Sequence, residues 1–187
     1  MAKAAVVDHN GAVDVEDIHS GGRSSGYVSA PWRRRMSELV IRAARLDEAD
    51  LLTELAMRSK ASWGYSDEFM AACRAELTFT PQKMTAWRIW LAQRAGAVVG
   101  MIALHIDGPT AELEDFFVEP IEQGQGVGAA LMAILLVTCR EQGVTQVGLD
   151  ADPNAEPIYE RLGFRRVGWS PSGSIPGRRL PRMERAL

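Results

Sequence analysis

The chain is poor in the residues that staple, ligate or span. Two cysteines, Cys73 and Cys139, and three histidines, His9, His19 and His105, in 187 residues form no CxxC or Cys/His cluster. Neither a disulfide framework nor a metal site is therefore expected. No apolar run approaches the roughly 18 residues that a membrane helix requires, and the greasiest stretch, after Gly126, is broken by Thr138 and Arg140. A basic excess is missing too. Lys plus Arg number 21 against 24 Asp plus Glu, a net charge of −3, so the field that recruits nucleic acid non-specifically is absent. Neither nucleic acid nor a membrane is an expected partner, and reduced thiols point to a cytoplasmic setting.

Residues 1–35 also lack a sustained helical or strand period and carry the Gly/Ser cluster SGGRSSG at 20–26. They read as a disordered extension, with Met36, after three arginines, as a natural start. The remainder, 36–187, has the length of one domain.

From Leu39 the pattern is regular. A short strand LVIRAA precedes Asp47, an N-cap candidate with Asp50 three residues on, and a helix with Leu51, Leu52 and Leu55 inward. Ser66 is placed to cap a second helix with Phe69, Met70, Cys73 and Leu77 on one face, and Pro81 is read as its terminator. Three strands follow, over 85–94, 98–106 and 113–118, separated by Ala95-Gly96 and Asp107-Gly108-Pro109, so an antiparallel meander is expected. A helix over 126–142 leads to a strand over 144–151, which should lie parallel to 113–118. A short helix 155–162, a strand 164–169 and a proline-bearing tail read as edge structure complete the chain.

The most informative stretch is LEDFFVEPIEQGQGVGAA, residues 113–130. A strand runs through Pro120 into Gly124, Gly126 and Gly128 and then into a helix. Such a turn lets backbone N–H groups converge on an anion, with the positive end of the helix dipole behind it. The ligand should carry phosphate. Gly124-x-Gly126-x-x-Ala129 also satisfies the dinucleotide pattern, with Asp150 some twenty residues on, so a dinucleotide-binding oxidoreductase is one alternative. A preceding meander and the short chain left after Gly128 argue against it. No Lys-Ser or Lys-Thr follows the glycines, so a Walker loop is excluded.

Gln123-x-x-Gly126-x-Gly128, after a strand ending Val118-Glu119-Pro120, resembles the Q/R-x-x-G-x-G/A signature of the GNAT superfamily of N-acetyltransferases. Asn154-Ala155 and Tyr159-Glu160-Arg161-Leu162-Gly163-Phe164 are similar to that family's segment after its fifth strand. The likeness extends over residues 38–187. It implies an α/β (α+β) fold with a mixed, mostly antiparallel sheet, flanking helices, and splayed parallel strands at 113–118 and 144–151. It further implies an acyltransferase that moves an acetyl group from acetyl-CoA to a primary amine, on a small molecule or a peptide, by direct attack in a ternary complex. No metal is involved, and a homodimer fits family habit.

Under this resemblance the backbone of Phe117 and Val118 binds pantetheine, and Gln123, Gly124, Gln125, Gly126, Val127 and Gly128 surround the pyrophosphate. Tyr159 is the candidate acid for the leaving thiolate, or else a packing residue. Asn154 is a cofactor contact or a turn residue. Glu114, and after it Glu112, are candidate bases; both share a face with Phe116 and Val118 if no bulge intervenes. Trp63 and Tyr65 are candidates for the acceptor wall, and Asp67, Glu68 and Glu114 suit a cationic amine. A coenzyme A-binding module without catalysis is the other alternative.

Overall fold

The computed structural model describes residues 39–187, together with the backbone of residues 4–7 and 13–16. Its strands, in chain order, are β1 Ala4–Val7, β2 Val13–Glu16, β3 Leu39–Ala43, β4 Arg88–Arg94, β5 Ala97–Asp107, β6 Thr110–Val118, β7 Gln146–Asp150, β8 Arg165–Pro171 and β9 Arg179–Ala186. They form one sheet in the order β2-β1-β3-β4-β5-β6-β7-β9-β8. Among the described residues only β6 and β7 pair in parallel. A doubly wound parallel sheet is thereby ruled out, and with it the two βαβ halves a dinucleotide fold requires. The helices are α1 Ala49–Ala61, α2 Asp67–Leu77, α3 Pro81–Ala86, α4 Val127–Glu141 and α5 Glu156–Arg161. No helix among the described residues is long and apolar enough to cross a membrane.

Alternation along β5 explains the layering, because successive side chains of a strand face opposite sides. Ile102 and Leu104 join a core with Val127, Leu131 and Leu135 of α4. Met101 and Ala103 join another with Leu52 and Leu55 of α1 and Met70, Cys73 and Leu77 of α2. Each fully buried leucine contributes about 2 kcal/mol by leaving water. Gly100 sets how closely α4 approaches the sheet. A Cβ there would stand 2.9 Å from Val127 Cγ1 and 3.2 Å from the Phe117 carbonyl.

Several expectations change. Ser66 does cap α2, accepting from the Phe69 N–H at 3.3 Å. Pro81, however, begins α3 under a Thr80 cap, because proline suits a first helical position as well as it ends a helix. Asp47 lies in a single 3-10 turn, and α1 starts after Glu48, whose carboxylate is engaged by Arg42 and the Arg45 N–H. The tail is an interior strand between β7 and β8, so the edge is β8. Pro181 takes part through its carbonyl, which accepts from the Ala151 N–H at 2.9 Å. At the other edge, β1 pairs antiparallel with β2 and with β3, within the segment expected to be a disordered extension. The rest of that expectation falls outside the described residues.

Candidate active site

Strands β6 and β7 pair only at Thr110–Gln146, Ala111–Val147 and Glu112–Gly148. Beyond Glu112 they diverge, and a cavity of about 340 Å³ opens between them. Residues 114–118 of β6 line it in sequence, and Gln123, Gly124 and Gly128 line its continuation past the end of the strand. At roughly 3.3 Å per residue, the acidic stretch at Glu114 and Asp115 lies about 10 Å before the strand ends at Val118 and the chain turns toward the glycines. The groove therefore has a phosphate-suited end and an acidic end.

The turn is held from beneath. Arg94 at the end of β4 pairs with Glu122, both side chains 9% exposed, and its guanidinium also reaches Gln125 Oε1 at 3.3 Å and the Gln125 carbonyl at 3.4 Å. Gln125 donates to the Ile121 carbonyl at 2.8 Å, and Gln123 reaches the Val118 carbonyl at 3.5 Å. Gly126 occupies the left-handed region at φ 83° as the residue before α4. Only glycine takes that conformation without a cost of about 1–2 kcal/mol. Val127 and Gln125 support the turn and do not line the cavity; Val127 is wholly buried under β5.

A bulge decides which carboxylates enter the groove. Leu104 pairs with Leu113, but Ala103 pairs with Asp115, leaving Glu114 as the extra residue. Before the bulge Ala111 and Leu113 face α4; after it Phe116 and Val118 do. The shared face expected for Glu112, Glu114, Phe116 and Val118 does not exist. The inserted residue turns the rest of the strand over, and Asp115 and Phe117 point to the α1/α2 side instead.

Asp115 is the residue sequence reasoning missed. It lines the cavity, is engaged by no hydrogen bond or ion pair among the described residues, and loss of solvation, helped by nearby Glu114 and Glu76 and opposed by Lys83 and Lys60, pushes its pKa up to about 7. Glu114 also lines the cavity, with its pKa raised by burial and lowered again by His105, whose Nδ1 is 3.9 Å away. Glu112 is committed to Arg182. Tyr159, brought by α5, packs against Phe116 and Phe164 at centroid distances of 6.3 and 5.8 Å. Burial, with Asp115 and Asp152 nearby, raises its pKa well above the ordinary phenol value. It lines the cavity as a protonated donor at neutral pH.

A polar hub closes one wall. Asp152 accepts from Tyr65 Oη at 2.7 Å and from Lys60 Nζ and Arg178 Nη2 at 3.1 Å each. Burial works against this carboxylate's charge, but these donors and the Asn154 N–H hold its pKa below the usual value. Arg178 and the Asn154 amide also donate to Tyr65 Oη, at 2.7 and 2.9 Å. Burial and the Asp152 bond raise the Tyr65 pKa to about 12. Asn154 and Tyr65 are thus tied to each other, while Trp63 lines the cavity and Asp67 and Glu68 do not.

Comparison with known proteins agrees with this geometry. The model of the acetyltransferase (GNAT) domain matches residues 65–187. N-acetyltransferase 8B of Homo sapiens is 30% identical over 130 residues, 64% of this chain and 57% of that protein. N-acetyltransferase 8 of Homo sapiens is 34% identical over 90 residues, 43% of this chain and 40% of that protein. The chain thus spans about half the length of these relatives or less. Among solved structures, the PaiA N-acetyltransferase of Thermoplasma acidophilum in complex with coenzyme A superposes with a TM-score of 0.67 at 18% identity, covering 80% of this chain and 99% of that one. A GCN5-related N-acetyltransferase of Rhodopseudomonas palustris gives 0.66 at 20% identity, covering 79% and 94%. The splayed parallel strands, the glycine turn opening α4 and the domain match converge, and the chain belongs to the GNAT family of acetyltransferases.

Proposed function

We propose that this chain transfers the acetyl group of acetyl-CoA to a primary amine, with Asp115 as base and Tyr159 as acid. The observation that carries the reading is the single groove joining the glycine turn, the unpaired edge of β6, an enclosed carboxylate and a protonated phenol. The pyrophosphate meets the N–H groups of residues 123–128 and the N-terminus of α4, and Arg161, which lines the same cavity, adds positive charge. Pantetheine lies along the free backbone edge of Phe117 and Val118.

The acceptor enters as an ammonium ion. Asp115, titrating near 7, removes one of its protons at physiological pH. The freed lone pair attacks the thioester carbonyl, a backbone N–H of β6 polarising the oxygen. As the C–N bond forms and the C–S bond breaks, Tyr159 gives its proton to sulfur, and the second proton lost by nitrogen restores the phenol. Asp115 returns its proton to water through the mouth of the groove. The net products are the amide, coenzyme A thiol and one proton. Glu114 contributes negative potential beside Asp115, and its burial-raised pKa keeps it as the second candidate for the base.

Calorimetric titration with acetyl-CoA and with NAD, followed by thiol release across an amine panel, tests the reading. Acetyl-CoA binding with amine-dependent thiol release is expected. Binding without release in the wild type would mean a coenzyme A-binding module, and a response to NAD alone would overturn the placement of the phosphate site.

A further inference from the structure

The last turn of α1 lies across the gap between the splayed strands. Arg58 reaches Glu119, the residue after β6 ends, with Nε 3.2 Å from Oε1, and Lys60 reaches Asp152, just beyond the end of β7, at 3.1 Å. Between these two anchors Ser59 lines the cavity, and it is only 5% exposed. The neighbouring hydroxyls are committed. Thr53 donates to the Ala49 carbonyl at 3.0 Å and accepts from the Phe79 N–H at 2.9 Å, and Ser62 donates to the Ser59 carbonyl at 2.7 Å. Ser59 Oγ makes no hydrogen bond among the described residues. Of these residues only Arg94 has a side-chain polar atom, Nε, that is both sealed off and unpartnered, so Ser59 Oγ opens onto the groove. Alanine would fill this place at lower cost, as Ala56 does one turn earlier, because it favours the helix and buries no polar atom.

The side of the sheet on which Ser59 lies decides which reactant it meets. Helix α1 packs on the face of Met101, Ala103 and Phe117, the face to which Asp115 points, whereas the glycine turn opens α4 on the other. Phosphates therefore approach from the α4 face, and the acceptor from the face that carries Asp115 and Ser59. In the transfer derived above, a β6 N–H meets the thioester oxygen, Tyr159 meets the sulfur, and Asp115 takes one amine proton. The neutral nitrogen keeps two N–H groups, and neither has an acceptor in that scheme. We infer that Ser59 Oγ accepts one of them and fixes the rotation of the reacting amine. A hydroxyl accepts through its lone pairs while its own proton turns elsewhere. Alignment of the nitrogen lone pair on the thioester carbonyl then depends on Ser59. This inference rests on the transferase reading above and adds a residue that holds the acceptor.

The test is Ser59→Ala in the full chain, which should fold and melt no lower than wild type, since alanine suits the helix better. Thiol release is followed at saturating acetyl-CoA with 1-aminobutane and with the fastest amine of the panel. Loss of one neutral hydrogen bond to the acceptor should lower kcat/KM for the amine about three- to tenfold. That loss should be confined to the amine. Acetyl-CoA affinity by calorimetry should keep its wild-type value, the pH limb assigned to Asp115 should keep its midpoint, and hydrolysis of acetyl-CoA without amine should not share the fall. Equal kcat/KM in variant and wild type would overturn the inference. So would a matching loss of hydrolysis or of acetyl-CoA affinity, which would assign the hydroxyl to the cofactor; both results leave the transferase intact. A wild type that binds no acetyl-CoA would instead remove the transferase reading, and this contact with it.

Discussion

Replacing Asp115 with asparagine should inactivate the protein and stabilise it at the same time. The carboxyl titrates near 7 in the folded chain, against an ordinary value of 3.8. The folded state thus holds a proton through a pH range in which the unfolded state has released it. Stability then falls as pH rises from about 4 to about 7 and is flat above, because the proton-binding state is the native one. At about 1.36 kcal/mol per pH unit over some three units, the ceiling is about 4 kcal/mol; water reaching the carboxylate through the groove lowers the expected value to about 2 kcal/mol. Asparagine keeps the shape and removes the charge. Urea unfolding at pH 5 and pH 8 should show a gain for the variant over wild type that is clearly smaller at the lower pH than at the higher. In parallel, kcat/KM should fall by about 10²–10⁴, and the wild-type limb rising through about pH 7 should vanish. A variant that is less stable than wild type at pH 8, or that keeps the limb, would refute the assignment and return Glu114 as the base.

Other outcomes follow from the remaining elements of the groove. Tyr159→Phe should lower kcat by about tenfold or more with acetyl-CoA affinity retained, measured by single-turnover kinetics against calorimetry; an unchanged chemical rate would make Tyr159 a packing residue. Gly126→Asp should abolish acetyl-CoA binding, whereas Gly126→Ala imposes only the backbone cost of a positive φ and should keep measurable affinity. Equal affinities for the aspartate variant and wild type would move the pyrophosphate elsewhere. Arg94→Met leaves Glu122 buried without its partner, and a loss of about 3–5 kcal/mol is expected; the double variant Arg94→Met/Glu122→Leu should recover much of it, read by thermal or denaturant unfolding.

What sequence conveyed depended on how local the cause was. The glycine turn was legible because positive φ, a following helix and a preceding strand all lie within about twenty residues. The polar hub was not. Tyr65 and Asp152 are 87 positions apart and Tyr65 and Arg178 are 113 apart, so only the assembled sheet brings them together. Arg94 and Glu122 lie 28 apart and meet because β4 ends under the turn. Pro81 and the tail failed for a different reason: proline is compatible with more than one role, and long-range pairing selects among them.

The bulge at Glu114 was hidden in plain view. The residues packed beneath α4 sit at odd positions through Leu113 and at even positions at Phe116 and Val118, with Phe117 on the opposite side, a change of parity that a regular strand cannot bury on one side. One inserted residue reconciles the two halves. Without it, continuing the odd face would carry Asp115 into the core beneath α4 and turn Phe116 toward the groove, so burial alone would oppose that register. The same hydrophobic requirement that fixes the register of β6 therefore delivers an unpaired carboxylate to the cavity, three residues before the strand ends at Val118. Fold and proposed chemistry here share a cause, and the position of the proposed base follows from where Phe116 and Val118 must pack.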